Sequence, residues 1–305
     1  MSSPSKNLKV AVMISGQLRT FRDVWPRNLE QLSLPGVDVE VYIDTWAEYG
    51  STDRTFRGYG GKILGKSFDP FTYSWESKGS FDLDEVQSVI PNADAYVWGN
   101  DFEEILSGHT QLRAMKRELD PVHHRAFLST AAMYYLLEKS FERALMGPVT
   151  YDYFLRIRPD WVLRRNILPE LIEREKDLVF FDSKVEDKAF GWGYVTDVCF
   201  GGNLESMRLA SGSFSSWVSK VAREGWKRYS QAHPAHDHLL LAESVLSFQL
   251  RNFRKLKRVV VAEANAGYIL REGRDVQSRR NLSVAGLLGN TLDLFKRTGP
   301  GGRSS

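Results

Sequence analysis

The stretch Leu8–Gly16, LKVAVMISG, decides the fold. Apart from Lys9, every residue from Leu8 to Ile14 is apolar, and the run does not alternate. A strand wetted on one face alternates. A strand covered on both faces does not, and such strands belong to parallel sheets sandwiched between helices. Ser15-Gly16 ends the run and opens a turn.

Working outward, similar signals recur. Asp38–Trp46 (DVEVYIDTW) alternates at first and is then expected to be buried, as a second strand. Between the two, Arg19–Leu34 is predicted helical, with Pro26 calling for a late start or a kink. Asp82–Ile90 is a short helix with Ser80 or Asp82 as its cap, and Ala93–Trp98 is a third strand. His123–Met146 is the clearest helix, because Phe127, Ala131, Tyr134, Leu137, Phe141 and Leu145 recur at helical spacing before Gly147-Pro148 stops it. Tyr153–Ile157, Leu178–Phe181, Asp197–Phe200 and Arg258–Ala262 are further strands. Met207–Trp226 and His236–Leu250 are further helices. Ala47–Ser80, rich in Gly and Ser, is expected to be a long loop, kept folded by Phe56, Tyr59, Phe68, Phe71, Tyr73 and Trp75. The alternation of strands and helices implies an α/β fold: a single three-layer, mostly parallel sheet flanked by helices.

The totals limit function. The chain of 305 residues holds 41 basic and 38 acidic side chains, a net charge of +3, too even to argue for a nucleic-acid partner. Its one cysteine, Cys199, excludes an internal disulfide and a cysteine-based zinc site. No apolar run approaches the ~18 residues of a membrane span, and MSSPSKNLK lacks the apolar core of a secretion signal, so a cytoplasmic location is expected. Residues 1–7 form a disordered leader, 8–297 a single domain and 298–305 a flexible tail. The basic run Arg251–Arg258 (RNFRKLKR) is a solvated face or a contact for peripheral membrane association.

In sheets of this kind ligands bind beyond the carboxyl ends of the strands. After the first strand, Gly16 allows close backbone approach, Gln17 offers an amide, and Arg19 can bind a phosphate or carboxylate; a plain βα turn is the simpler reading. After the second, Trp46 is a stacking surface for a base or sugar, or a core cap. In YDYFLRIRPDWVL, Tyr151–Leu163, strand alternation puts Arg156 and Arg158 on one face, and Pro159 stiffens the turn that presents Asp160. Asp160 is then a ligand for Mg²⁺ or Mn²⁺, or half of an internal Arg–Asp ion pair. Asp197, after the Gly- and aromatic-rich segment Gly191–Thr196, is a candidate general base or a turn residue. His236, in the run His233–His238, and Glu243 are weaker candidates; Pro234 limits a metal reading of the histidines, and Asp237 suits a helix cap.

Taken together, these segments resemble the GT-A-type glycosyltransferase-like proteins of microbial surface-polysaccharide and viral glycan assembly. The resemblance lies in ISGQLRTF (Ile14–Phe21), VYIDTW (Val41–Trp46), RIRPD (Arg156–Asp160), DVCFGG (Asp197–Gly202) and the segment around HPAHDHLLLAE, and it covers roughly Lys9–Leu250. It implies a GT-A-like domain with a nucleotide-binding half at about 8–165 and an acceptor half at about 166–297. It also implies a nucleotide-sugar donor, a glycan acceptor and a divalent metal (Mn or Mg) at Asp160. Gly16, Gln17, Arg19, Trp46, Arg156 and Arg158 would hold the donor, and Asp197, Glu243 or His236 would serve catalysis. The family's Asp-x-Asp element is altered here: Arg158 stands where its first aspartate would be, so the arginines could neutralise the diphosphate instead. A catalytically silent nucleotide- or sugar-binding protein of the same fold, and a transferase of another activated group such as sulfate, are the alternatives.

Overall fold

The structure, a computed structural model, describes residues 7–52, 62–63, 66–67, 75–99, 113, 121–175, 177–181, 197–225, 259–261, 266–271 and 274–275. The strands are β1 (Leu8–Ser15), β2 (Val37–Trp46), β3 (Glu48–Thr52), β4 (Lys62–Ile63), β5 (Lys66–Ser67), β6 (Trp75–Ser80), β7 (Asp94–Trp98), β8 (Tyr153–Ile157), β9 (Trp161–Leu163), β10 (Leu178–Phe180), β11 (Cys199–Gly202), β12 (Val259–Val261), β13 (Gly267–Arg271) and β14 (Arg274–Asp275). The helices are α1 (Phe21–Gln31), α2 (Leu83–Val89), α3 (Pro121–Met146), α4 (Leu168–Glu173), α5 (Leu204–Ser211) and α6 (Ser213–Glu224).

Among the described residues, seven strands make one sheet in the order β7-β2-β1-β8-β11-β10-β12. Every pairing in it is parallel except those of β11, which runs antiparallel to both β8 and β10. The α/β, mostly parallel architecture is therefore the one the apolar runs imply. β1 lies inside the sheet, and Val10 to Ile14 are fully buried. Val10, Val12 and Ile14 share a core with Phe21, Val24 and Trp25 of α1, Val86 of α2 and Leu168 and Leu171 of α4. The opposite face is covered by α3, whose Phe141 meets Phe154 of β8 edge-on at 5.1 Å, and by α5, which packs on β8 and β11. Burial of each such Val, Ile or Phe contributes about 1.5–3 kcal/mol, so the sheet's centre is the stable frame of the molecule.

Several elements differ from expectation. α1 starts at Phe21 rather than Arg19 and carries Pro26 within it. Arg19 and Thr20 stay in the turn, where the Thr20 hydroxyl donates to the Leu270 carbonyl at 3.0 Å. Met207–Trp226 is two helices, α5 and α6. Asn203 caps the first by accepting from Ser206 N at 3.0 Å, and Gly212 separates them. Within Ala47–Ser80, β3 pairs with β6 and β4 with β5, so the segment holds ribbons. Leu145, placed by its spacing on the apolar stripe of α3, is 40% exposed near the helix end.

A small second sheet, β14-β13-β9, builds the corner after β8. Helix α1 grips that corner from below. Trp25 Nε1 donates to the Pro159 carbonyl at 3.2 Å, Asn28 Nδ2 to the Trp161 carbonyl at 2.7 Å, and Asn28 Oδ1 accepts from Leu163 N at 2.9 Å. Among the described residues no helix is long and apolar enough to cross a membrane. The leader residues 1–6, the tail, most of the aromatics of the 47–80 segment, the basic run 251–258 and the helix expected at His236–Leu250 lie outside the described residues.

Candidate functional site

The carboxyl ends of β1 and β8 meet the start of β11 at one corner. β1 delivers Ser15 and then Gly16, whose φ of +133° suits glycine and few other residues. A Cβ on Gly16 would stand 3.3 Å from Cδ of Pro159, so the βα turn and the Arg-Pro-Asp corner lie against each other. Gln17 and Arg19 are half-buried in that turn and bound to each other. Arg19 donates from Nε at 3.0 Å and from Nη2 at 2.8 Å to Gln17 Oε1.

β8 delivers Arg156 on the α3 face of the sheet, wholly buried. Its guanidinium lies 5.8 Å from the centroid of the Phe200 ring. Its hydrogen bonds are long: Nε to Ser15 Oγ and Nη2 to the Ser15 carbonyl, each at 3.4 Å. Nη1 has no hydrogen-bond partner among the described residues. Arg158 follows, and it closes a bidentate fork on Asp160, with Nε to Oδ1 and Nη2 to Oδ2 both at 2.7 Å. Asp197 lies between the two arginines. Its carboxylate is 3.7 Å from Arg156 Nη2 and 4.0 Å from Arg158 Nη1, at charge-pair rather than hydrogen-bond distance.

The corner thus collects Arg156, Arg158, Asp160 and Asp197, with Arg19 near enough to act on Asp160 electrostatically. Burial alone would raise the Asp160 pKa, but Arg158, and then Arg19 and Arg156, hold it below the usual carboxylate range. Burial lowers the pKa of the Arg156 guanidinium; Asp197 opposes that shift and Arg158 adds to it. Arg156 and Arg158 thus lie against the carboxylates of Asp197 and Asp160, and Arg156 Nη1 is a buried N–H without an acceptor among the described residues. A guanidinium N–H so placed can donate to an oxygen of an anion.

The carboxylate of Asp160 is already engaged by an arginine. Both oxygens of Asp160 are taken by Arg158. Among the described residues no group of three or more His, Cys, Asp or Glu side chains could hold a metal ion. The ion pair, one of the two readings of RIRPD, is the arrangement observed.

Trp46 stands apart from this corner, at the end of β2. It is 8% exposed and stacks on Tyr135 of α3 with ring centroids 6.1 Å apart, so its ring helps close the core. Beside it the sequence left a buried network unread. Asp44, fully buried, accepts from Trp98 Nε1 at 2.9 Å, Ser140 Oγ at 2.8 Å and Arg143 Nη1 at 3.1 Å. Arg143 also bonds Asp94. Ser140 and Arg143 lie on α3, where only apolar spacing was read; a base in the last helical turn was the available signal. The Asp44 pKa is raised by burial, against the pull of Arg143 and the three hydrogen bonds. Of the other candidate residues, His236 and Glu243 lie outside the described residues, as do His233, His238 and the segment Gly191–Thr196.

No family model matches the chain, and no curated protein matches it in sequence. Among solved structures it is similar to the apo form of mouse xyloside xylosyltransferase 1, with 10% identity and a TM-score of 0.43, covering 84% of this chain and 85% of that one. At that identity and TM-score the likeness assigns no activity.

Proposed function

We propose that the chain is a glycosyltransferase that moves a sugar from a nucleotide-sugar donor to the hydroxyl of a glycan acceptor. The observation that carries this reading is the buried arginine corner at the carboxyl edge of the parallel strands, where Arg156 keeps an N–H without an acceptor among the described residues. The motifs ISGQLRTF and YDYFLRIRPD, which meet at that corner, support it through their resemblance to GT-A-type proteins. The same resemblance favours an acceptor in surface polysaccharide or viral glycan.

In the transfer, the bond from the anomeric carbon to the donor's phosphate oxygen breaks, and its electron pair leaves with the diphosphate. The acceptor oxygen bonds to that carbon, and its proton passes to a base. The transition state is oxocarbenium-like. The chain's residues act mainly on the leaving charge: Arg156 and Arg158 stabilise the diphosphate, and Gln17 and Arg19 hold the nucleotide side of the donor. Removing one preorganised donor to a developing oxyanion typically costs ~10²–10³ in kcat. Asp197 can serve as the base only if it leaves the two guanidinium groups; His236 and Glu243 are the other candidates. No step is assigned to a divalent ion: the Arg158 fork on Asp160 places a positive charge where such an ion would sit.

The experiment is a panel of nucleoside-diphosphate sugars, scored by thermal stabilisation and by release of free nucleoside diphosphate with and without acceptor glycans. One donor that both stabilises the protein and is consumed is the expected result. A panel with neither effect overturns the reading. A catalytically silent nucleotide- or sugar-binding protein is the alternative, and one observation favours it: Asp197 is turned toward charge balance, within 4.0 Å of both arginines. It would stabilise with a donor and release nothing.

A further inference from the structure

We infer that Arg156 and Arg158 bind a diphosphate directly, in place of a divalent ion, and that Asp197 is the resident counter-charge which the anion displaces. This rests on the donor reading only for the identity of the ligand as a diphosphate; the anion site stands on geometry of its own.

A buried guanidinium normally spends its five N–H groups on acceptors, because a donor left without one keeps its full desolvation cost. Arg156 is 0% exposed, yet Nη1 has no acceptor among the described residues, and its two hydrogen bonds are at 3.4 Å. Asp197 compensates its charge from 3.7 Å without accepting a close hydrogen bond. It neutralises Arg156 and leaves the N–H capacity open. The same carboxylate is 4.0 Å from Arg158 Nη1, so one anion in its place would face both guanidinium groups. Arg158, with a side chain 17% exposed, marks the way in; Arg156 and Asp197, at 0% and 4%, lie behind it. A diphosphate brings more charge and more acceptor oxygens than one carboxylate, and guanidinium forks match phosphate geometry. Asp160 has a different task. Held by Arg158 at 2.7 Å twice over, it fixes the orientation of that fork.

The two ways of holding a diphosphate make opposite predictions for the carboxylates. If Asp160 or Asp197 held a metal, neutralising it would abolish anion binding. If they are counter-charges, neutralising Asp197 removes the competitor and tightens it.

The test is titration calorimetry with inorganic pyrophosphate, in excess chelator and again with Mn²⁺, on the full chain and on Arg156→Gln, Arg158→Gln and Asp197→Asn. Each variant is first checked for the wild-type circular dichroism spectrum. The expected results are binding in chelator, weakening by roughly tenfold to a hundredfold in either arginine variant, and severalfold tightening in Asp197→Asn. Arg158→Gln serves where Arg156→Gln fails to fold. Absence of pyrophosphate binding in chelator, or binding that needs Mn²⁺ and is lost in Asp197→Asn, overturns the inference. Failure of the transferase reading looks different: pyrophosphate binds as described, and no nucleotide sugar is consumed.

Discussion

Asp160 and Asp44 sit at the ends of neighbouring parts of one sheet, and burial is the largest influence on both, yet their proton affinities move in opposite directions. For Asp160 the arginines win and the pKa falls below its ordinary 3.8; for Asp44 burial wins and the pKa rises above the same value. The sign of each linkage follows. Asp160 contributes stability that is present above pH 3.8 and is lost as pH falls through its lowered value. Asp160→Asn should therefore cost about 3 kcal/mol near neutrality, as breaking a buried pair does, with a penalty that shrinks on acidification below 3.8. Asp44 contributes stability that is present below 3.8 and is lost as pH rises through its elevated value, so the advantage of wild type over Asp44→Asn should shrink as pH rises. Urea unfolding at a series of pH values measures both, and difference profiles of the same slope would refute the contrast. At this scale the sequence showed which residues face the corner but not which pairs form. Arg156 and Arg158 both neighbour Asp160 in the chain, yet Arg158 closes the fork on it while Arg156 lies against Ser15 and Asp197.

The strand most legible in the sequence was β1, whose apolar run has no alternation, because burial on both faces writes itself into successive positions. Direction does not. The apolar run before Gly201-Gly202 is too short to say that β11 is antiparallel, and the reversal is what brings Asp197 back beside Arg156. Nor could spacing reveal the pairing of Trp161 with Ile269, since the two are far apart in the chain. Glycines are the trace that such close approaches leave. A Cβ on Gly267 would stand 2.4 Å from Trp161 Cε2 and from the Val162 carbonyl, in the strand that immediately follows Asp160. Gly267→Ala should force β13 away from β9, at about 1–3 kcal/mol in stability, the usual cost of overpacking. It should also weaken pyrophosphate binding, although Gly267 touches no part of the anion site. Chemical denaturation together with the same calorimetry checks this, and unchanged affinity in a destabilised variant would show that the corner does not depend on β13.

At the scale of the whole molecule, the expected division into a half ending near residue 165 and a second half meets a sheet that both share. β7, β2, β1 and β8 come from the first part of the chain and β11, β10 and β12 from the second. β11 is hydrogen-bonded along β8, with Cys199 opposite Ile157 and Gly202 opposite Phe154. The corner leans on the second part as well: Arg158 N donates to Val198 O at 2.8 Å, Arg164 N to Ala266 O at 2.9 Å, and Asp160 O accepts from Leu270 N at 2.8 Å. A piece comprising residues 1–165 would expose the buried edge of β8 and leave these groups without their partners. Each buried group so orphaned costs about 1–3 kcal/mol, and a domain has only ~5–15 kcal/mol in total. The piece should therefore show no cooperative urea transition and no pyrophosphate binding, whereas the full chain should unfold its central sheet in one step, with amides of β1 and β8 exchanging more slowly than those of the edge strand β7. A sigmoidal transition in the 1–165 piece would mean that β8 can serve as an edge, and that the anion corner was assembled before the second half joined it.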